Sequence, residues 1–161
     1  MTNAELTPGP QVVGEDAKRP ERGMMKGMYV TVEPLDPAKH RDALWHGCGG
    51  LANQELWRYM HGGPFAERAA FDAYLESRAT GEDPMYFVFV DRATGHATGH
   101  AAYMRIDPSQ RVIEVGSIVY APAFQKTRAA TEAMYPERGS AAGVRLRRRI
   151  PAAHDREGTQ S

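Results

Sequence analysis

The chain has 161 residues, twenty basic and twenty acidic side chains, and a formal net charge of zero. That length suits one domain with a real core, and the balanced charge removes any general reason to expect nucleic acid or an anionic membrane as partner. Its single cysteine, Cys48, cannot close an internal disulfide, no Cys/His spacing reads as a zinc or other metal site, and no segment approaches the roughly 18 apolar residues of a membrane span.

Residues 1–26 are polar, proline-punctuated and without period, so they read as a disordered lead-in to a domain over 27–135. With no apolar leader at its front, the chain is expected in the cytoplasm. Structure begins with MYVTVEPL, where Tyr29, Thr31 and Glu33 alternate with Val30, Val32 and Pro34 and predict a strand ended by proline. Asp36 then caps a helix through DPAKHRDALWHG, with Pro37 at its first position and Gly47 past its end. A short helix is expected over NQELWRYM, with Leu56, Tyr59 and Met60 on one side. After a GGPF turn, Phe65, Ala69, Phe71, Tyr74 and Leu75 form an apolar stripe at helical spacing that Gly81 ends.

Three strands follow. PMYFVFVD is almost continuously apolar and reads as buried on both faces; GHATGHAAYMRID and RVIEVGSIVYAP come after the turns RATGH and DPSQ. Hairpin connections make this part of the sheet antiparallel, so the fold class is α+β, a mostly antiparallel sheet with helices packed on it.

A strand, a short loop and the helix start Ala129–Ala130–Glu132–Ala133–Met134 come next. The first N–H groups of a helix lack intrahelical partners and can hold an anion, and Lys126, Thr127 and Arg128 add charge and a hydroxyl there. Most strand-to-helix turns nevertheless bind nothing. Among the remaining candidates, Cys48 reads as a half-buried residue of a Gly-rich turn rather than a catalytic thiol. His61, His96 and His100 read as surface or turn residues, and Trp45, Trp57 and Tyr59 as core rather than the lining of an acceptor pocket.

The passage VIEVGSIVYAPAFQKTRAATEAM resembles the acetyl-CoA-binding segment of the GNAT N-acetyltransferases, in the branch related to ribosomal-protein N-terminal acetyltransferases. Gln125 matches the first position of that family's Gln/Arg-x-x-Gly-x-Gly/Ala signature, Ala130 the last, and Pro122 the proline before it. Arg128 stands where the central glycine is usual, which puts a side chain where backbone would approach phosphate. The words WRYM–GPF, FVFVDRATG and AAYMRIDPSQRVIEVG follow in the order of that branch, so the resemblance covers roughly Gly27 to Tyr135.

The resemblance implies direct attack of a primary amine, on a protein N-terminus or a small molecule, on the thioester of acetyl-CoA as co-substrate, with no metal. It also implies that the backbone of Ile118, Val119 and Tyr120 pairs with the pantetheine arm. Gln125, Lys126, Thr127, Arg128, Ala129, Ala130 and Thr131 would hold the pyrophosphate. Glu114 is the carboxylate placed to help deprotonate the amine, or else a strand-face glutamate paired with an arginine such as Arg105.

Pro136 cuts the helix about two turns in, and residues 136–161, with Arg145, Arg147, Arg148 and Arg149, read as a basic disordered tail. The departure from family wording near Tyr135 is read as a shifted reading frame or a natural truncation, leaving an incomplete GNAT-like fold. Its strand before Pro122 would then be an edge that favours self-association. Three functions compete on this reading: an active N-acetyltransferase, a non-catalytic remnant that binds acyl-CoA or a protein partner, and a chain with no stable function alone.

Overall fold

A computed structural model describes residues 14–135. Five antiparallel strands lie in sequence order, β1 (Met25–Lys26), β2 (Val30–Pro34), β3 (Met85–Asp91), β4 (Ala97–Asp107) and β5 (Val112–Tyr120). Between β2 and β3 come α1 (Pro37–Cys48), a 3₁₀ helix (Leu51–Trp57) and α2 (Arg68–Ala79), and α3 (Arg128–Ala133) follows β5. This is the α+β arrangement the hairpin pattern predicts.

The two faces of the sheet separate by residue parity. On β3 and β4, Tyr86 pairs with Ala102 and Val88 with His100, and these side chains meet α1, α2 and the 3₁₀ helix. Phe87 and Phe89 point the other way, toward Tyr103, Tyr120 and Phe124 beneath α3. With apolar layers on both sides, β3 is buried over Met85–Phe89, as an unbroken run of apolar residues requires. Glu33 is the acid buried on the α1 side, where Lys39 pairs with it and His40 Nε2 lies 3.2 Å away.

Asp36 accepts from the N–H of Ala38 at 3.0 Å, and Pro37 opens α1 as expected. The helix runs past Gly47 to Cys48, and Gly49 caps it, because a Cβ at Gly47 would meet that of Ala121 at 2.9 Å and the small residue serves close packing instead. The expected NQELWRYM helix is a 3₁₀ segment that ends at Trp57. Tyr59 lies beyond it and is 90% exposed, so the side facing the core carries Trp57 rather than Tyr59. Phe65 precedes α2 yet packs edge-on to Trp57 and Phe71.

Part of the expected lead-in is structured: Met25 and Lys26 form β1 against Val32 and Thr31, and Arg22 donates to the carbonyl of Ala79 at 2.8 Å. Residues 1–13, and the tail and truncation read into residues 136–161, lie outside the described residues.

Gly99 sits where β4 passes β5, with φ of 158°. A Cβ there would stand 2.2 Å from the carbonyl oxygen of Val119, and backbone cannot yield as a flexible side chain can. Gly99→Ala should therefore cost about 2–3 kcal/mol, read as a lowered urea midpoint at unchanged slope.

Candidate active site

β5 is the edge strand of the described sheet, and its ladder with β4 is interrupted. His100 pairs with Val119 and Ala102 with Gly116, so Ser117 and Ile118 stand opposite Ala101 alone. This is a β-bulge, and Ser117 takes the left-handed φ of 52°. The two hydroxyls of Tyr86 and Ser117 lie 2.8 Å apart beside it.

His100 lies under the bulge and is 1% exposed. It is a core residue of β4, not the surface or turn residue its sequence context suggests; His61 and His96 are exposed. Its Nδ1 is 3.0 Å from the carbonyl of Ser117 and its Nε2 3.4 Å from the Tyr74 hydroxyl. Burial pushes its pKa down to about 4, against the opposing bond to Ser117 and with the help of Arg78. The imidazole is neutral at physiological pH. The Arg78 guanidinium stacks 5.3 Å from the Tyr74 ring and 5.9 Å from that of Tyr86.

The residues expected to meet the cofactor divide by direction. Ile118 is 38% exposed, whereas Val119 is buried and offers a ligand only backbone. The Tyr120 hydroxyl donates to the carbonyl of Ala130 at 3.1 Å and ties β5 to α3. Gln125 turns back to donate to the Tyr120 carbonyl at 3.2 Å, and Lys126 takes a left-handed φ of 61°. Thr127 is the N-cap of α3: its Oγ1 accepts from the N–H of Ala130 at 3.1 Å and donates to the carbonyl of Phe124 at 2.7 Å. Arg128 and Thr131 are exposed, while the side chains of Ala129 and Ala130 are buried.

Thr127, Arg128 and Ala129 line an open cleft of about 520 Å³ with Met28, Tyr29, Asp91, Arg92 and Ala93. Arg92 is fixed there by donating to the carbonyls of Gly27 and Met28, at 2.7 and 3.3 Å. Two arginines, a threonine and helix-start backbone thus border one space beside the acid Asp91, and the arginines are the residue type that suits a phosphate-bearing ligand.

Glu114 is not gathered into this cluster. It lies six residues before Tyr120, roughly 20 Å along the strand at about 3.3 Å per residue, and its carboxylate meets Arg105 at 3.2 Å. Arg105 is itself held by Asp83, which accepts from the N–H groups of Arg105 and Ile106 at 2.9 Å each. Cys48 is fully buried, and burial pushes its thiol up to about 12, far from any nucleophilic range. Trp57 is core; Trp45 tilts against Phe71. Among the described residues no group of three or more His, Cys, Asp or Glu side chains could hold a metal ion, and no helix is long and apolar enough to cross a membrane.

Sequence reasoning missed Ser117, Tyr86 and Arg92. The Gly116–Ser117 pair inside a run of β-branched residues is a signal for the bulge, since glycine within a strand pattern often marks one. Nothing local marks Arg92, which reaches the cleft from the β3–β4 turn.

No protein-family model matches the sequence, and no curated protein does. Solved structures do match. The GCN5-related N-acetyltransferase from Brucella melitensis is 36% identical over 76% of this chain, with a TM-score of 0.73. The architecture is the GNAT acetyltransferase fold. A probable GNAT-family acetyltransferase from Chromobacterium violaceum shares it at 24% identity over 83% of this chain, with a TM-score of 0.71. So does a GNAT-family acetyltransferase from Bacillus anthracis, at 13% identity, 70% coverage and a TM-score of 0.57. The chain spans 56% of the Brucella structure, 67% of the Chromobacterium one and 62% of the Bacillus one. In this GNAT fold the bulged edge strand and the capped turn after it lie consecutively along the chain.

Proposed function

We propose that the chain transfers an acetyl group from acetyl-CoA to a primary amine, a protein N-terminus or a small molecule. The observation that carries this is a bulged edge strand, β5, followed directly along the chain by a Thr127-capped turn that lines an arginine-bordered cleft, in a GNAT fold. The resemblance to ribosomal-protein N-terminal acetyltransferases makes a protein N-terminus the first acceptor to test.

In this reaction the neutral amine nitrogen attacks the thioester carbonyl carbon. The new N–C bond forms as the C–S bond breaks, the thiolate leaves and takes up a proton, and the amine gives up one. In the proposed arrangement the backbone of Ile118, Val119 and Tyr120 runs beside the pantetheine arm, which an edge strand can do because one row of its N–H and C=O groups is unpaired. Gln125 to Thr131, with Arg92 across the cleft, take the pyrophosphate. Glu114 accepts the ammonium proton through water once its pairing with Arg105 opens.

A second reading, binding of acyl-CoA without turnover, is favoured by the Arg105 contact that already occupies the Glu114 carboxylate. Acetyl-CoA at about 100 times its dissociation constant should stabilise the fold by roughly 2.7 kcal/mol, several degrees in a thermal melt. Arg128→Glu should abolish that shift. CoA release with a short peptide bearing a free α-amino group separates the readings. A melt that acetyl-CoA leaves in place would overturn both.

A further inference from the structure

The bulge in β5 is held from beneath, and the holder is a histidine that the acetyl-transfer chemistry does not otherwise use. Ser117 has no partner residue on β4 and an unfavourable left-handed φ, so something outside the ladder must keep it there. Two contacts do so. The Tyr86 hydroxyl meets Ser117 Oγ at 2.8 Å, and His100 Nδ1 meets the Ser117 carbonyl at 3.0 Å. A carbonyl can only accept, so Nδ1 carries the ring proton and Nε2 is bare. The Tyr74 hydroxyl, 3.4 Å from Nε2, is then the donor. The tautomer is further enforced by burial, since the neutral ring has one N–H and one lone pair and both are used.

Three aromatic rings hold the imidazole in place. Trp57, Tyr74 and Tyr86 have centroids 6.0, 5.9 and 5.5 Å from it, so the donor cannot swing away from Ser117.

We propose that His100 is a positioning residue: its Nδ1–H holds the Ser117 carbonyl and so keeps the β5 bulge in the conformation that presents the edge backbone to the acetyl-CoA thioester. The proposal rests on acetyl transfer being the reaction, but the clamp can be read without any turnover.

His100→Asn keeps an N–H near the Nδ1 position, while His100→Leu fills the space and removes both polar atoms. The imidazole ¹⁵N shifts of the wild-type chain should report a protonated Nδ1 and a bare Nε2. The backbone shifts of Ser117 should move from left-handed toward extended values in His100→Leu and return in His100→Asn, with the core strand β3 unchanged in both. In CoA release with the peptide acceptor, His100→Leu should lose about tenfold or more in kcat, with the KM for acetyl-CoA within about threefold, and His100→Asn should recover most of it. A merely structural role would lower stability without splitting kcat from KM. A protonated Nε2, or a Ser117 signature indifferent to position 100, overturns the clamp. A collapsed bulge with kcat unchanged overturns the positioning role. Wild-type chain that neither binds acetyl-CoA nor releases CoA overturns acetyl transfer itself, while the Ser117 shifts still decide whether His100 holds the bulge.

Discussion

Trp57→Ala should lower the stability of the fold by about 4 kcal/mol, the middle of the range for removing a buried aromatic side chain. The indole is 2% exposed and closes the layer between the 3₁₀ helix, α2 and the sheet. Its ring meets Phe65 at 4.9 Å, Tyr74 at 5.5 Å and Phe71 at 6.3 Å in edge-to-face contacts, each favourable beyond its area. Gly63 leaves it room, for a Cβ there would meet the indole at 2.7 Å. The indole N–H donates to the carbonyl of Cys48 at 2.7 Å. Truncation thus opens a cavity and orphans a buried acceptor together. Trp57→Phe separates the two losses: it restores most of the packing and should cost only about 1–2 kcal/mol, chiefly for the lost hydrogen bond. Chemical denaturation with a constant slope would read both. Because the ring also touches His100, the alanine variant should loosen the β5 bulge as well. An alanine variant within about 1 kcal/mol of the parent would mean that this layer packs differently.

Glu132→Ala should cost about 2 kcal/mol near neutral pH and clearly less in acid, where the protonated side chain keeps only a neutral carbonyl acceptor. The carboxylate receives the N–H groups of Met28 and Tyr29 at 2.7 Å each and of Val30 at 2.9 Å. One side chain of a six-residue helix thereby fastens α3 to the start of β2, across more than a hundred residues of sequence. Hydrogen bonds to a charged acceptor contribute more than neutral ones, though partial exposure at this site reduces their yield. Gly27 lies beside it, where a Cβ would stand 2.5 Å from the carboxylate and push it off its backbone donors.

Burial alone would raise the Glu132 pKa, but the three backbone donors and the Arg92 charge outweigh it and hold the group below its ordinary value. A carboxyl with a depressed folded pKa stabilises above its unfolded value, about 4.3, and that contribution is lost as pH falls through the folded value. The gap between parent and Glu132→Ala in melting temperature should therefore be full at pH 7 and narrow in strong acid. Glu132→Gln, which keeps one carbonyl acceptor, should fall between them. A gap that is the same at pH 7 and in strong acid would show that the charge on Glu132 is not what holds α3.

The elements that sequence marked best are those set by local chemistry. Asp36–Pro37 starts a helix because a side-chain oxygen and a preset φ satisfy that helix start wherever it lies in the fold. The apolar run of β3 and the two hairpin turns make an antiparallel sheet for reasons contained within a few residues. Thr127 likewise announces a helix start, and the wording around it carries the resemblance to acetyltransferases.

Other features depend on contacts between residues far apart in the chain. Read locally, NQELWRYM is a helix with Tyr59 inward; the chain instead closes a 3₁₀ turn so that Trp57 can reach the Cys48 carbonyl and the α2 face. His100 looks like a turn residue because its neighbours are glycine, threonine and alanine, yet the ladder puts it opposite Val119 and under the aromatic layer. Arg92 and Glu132 acquire their roles only when β2, the β3–β4 turn and α3 meet.

By itself, then, the sequence determined most of the helices and strands, the antiparallel sheet, the capped turn and a resemblance to acetyltransferases, since caps, turns and alternation act between near neighbours. Tertiary structure alone decided which histidines are buried, where β5 bulges and how α3 is fastened. Those outcomes rest on hydrogen bonds and ring contacts between residues tens to a hundred positions apart, and no local pattern encodes such distances.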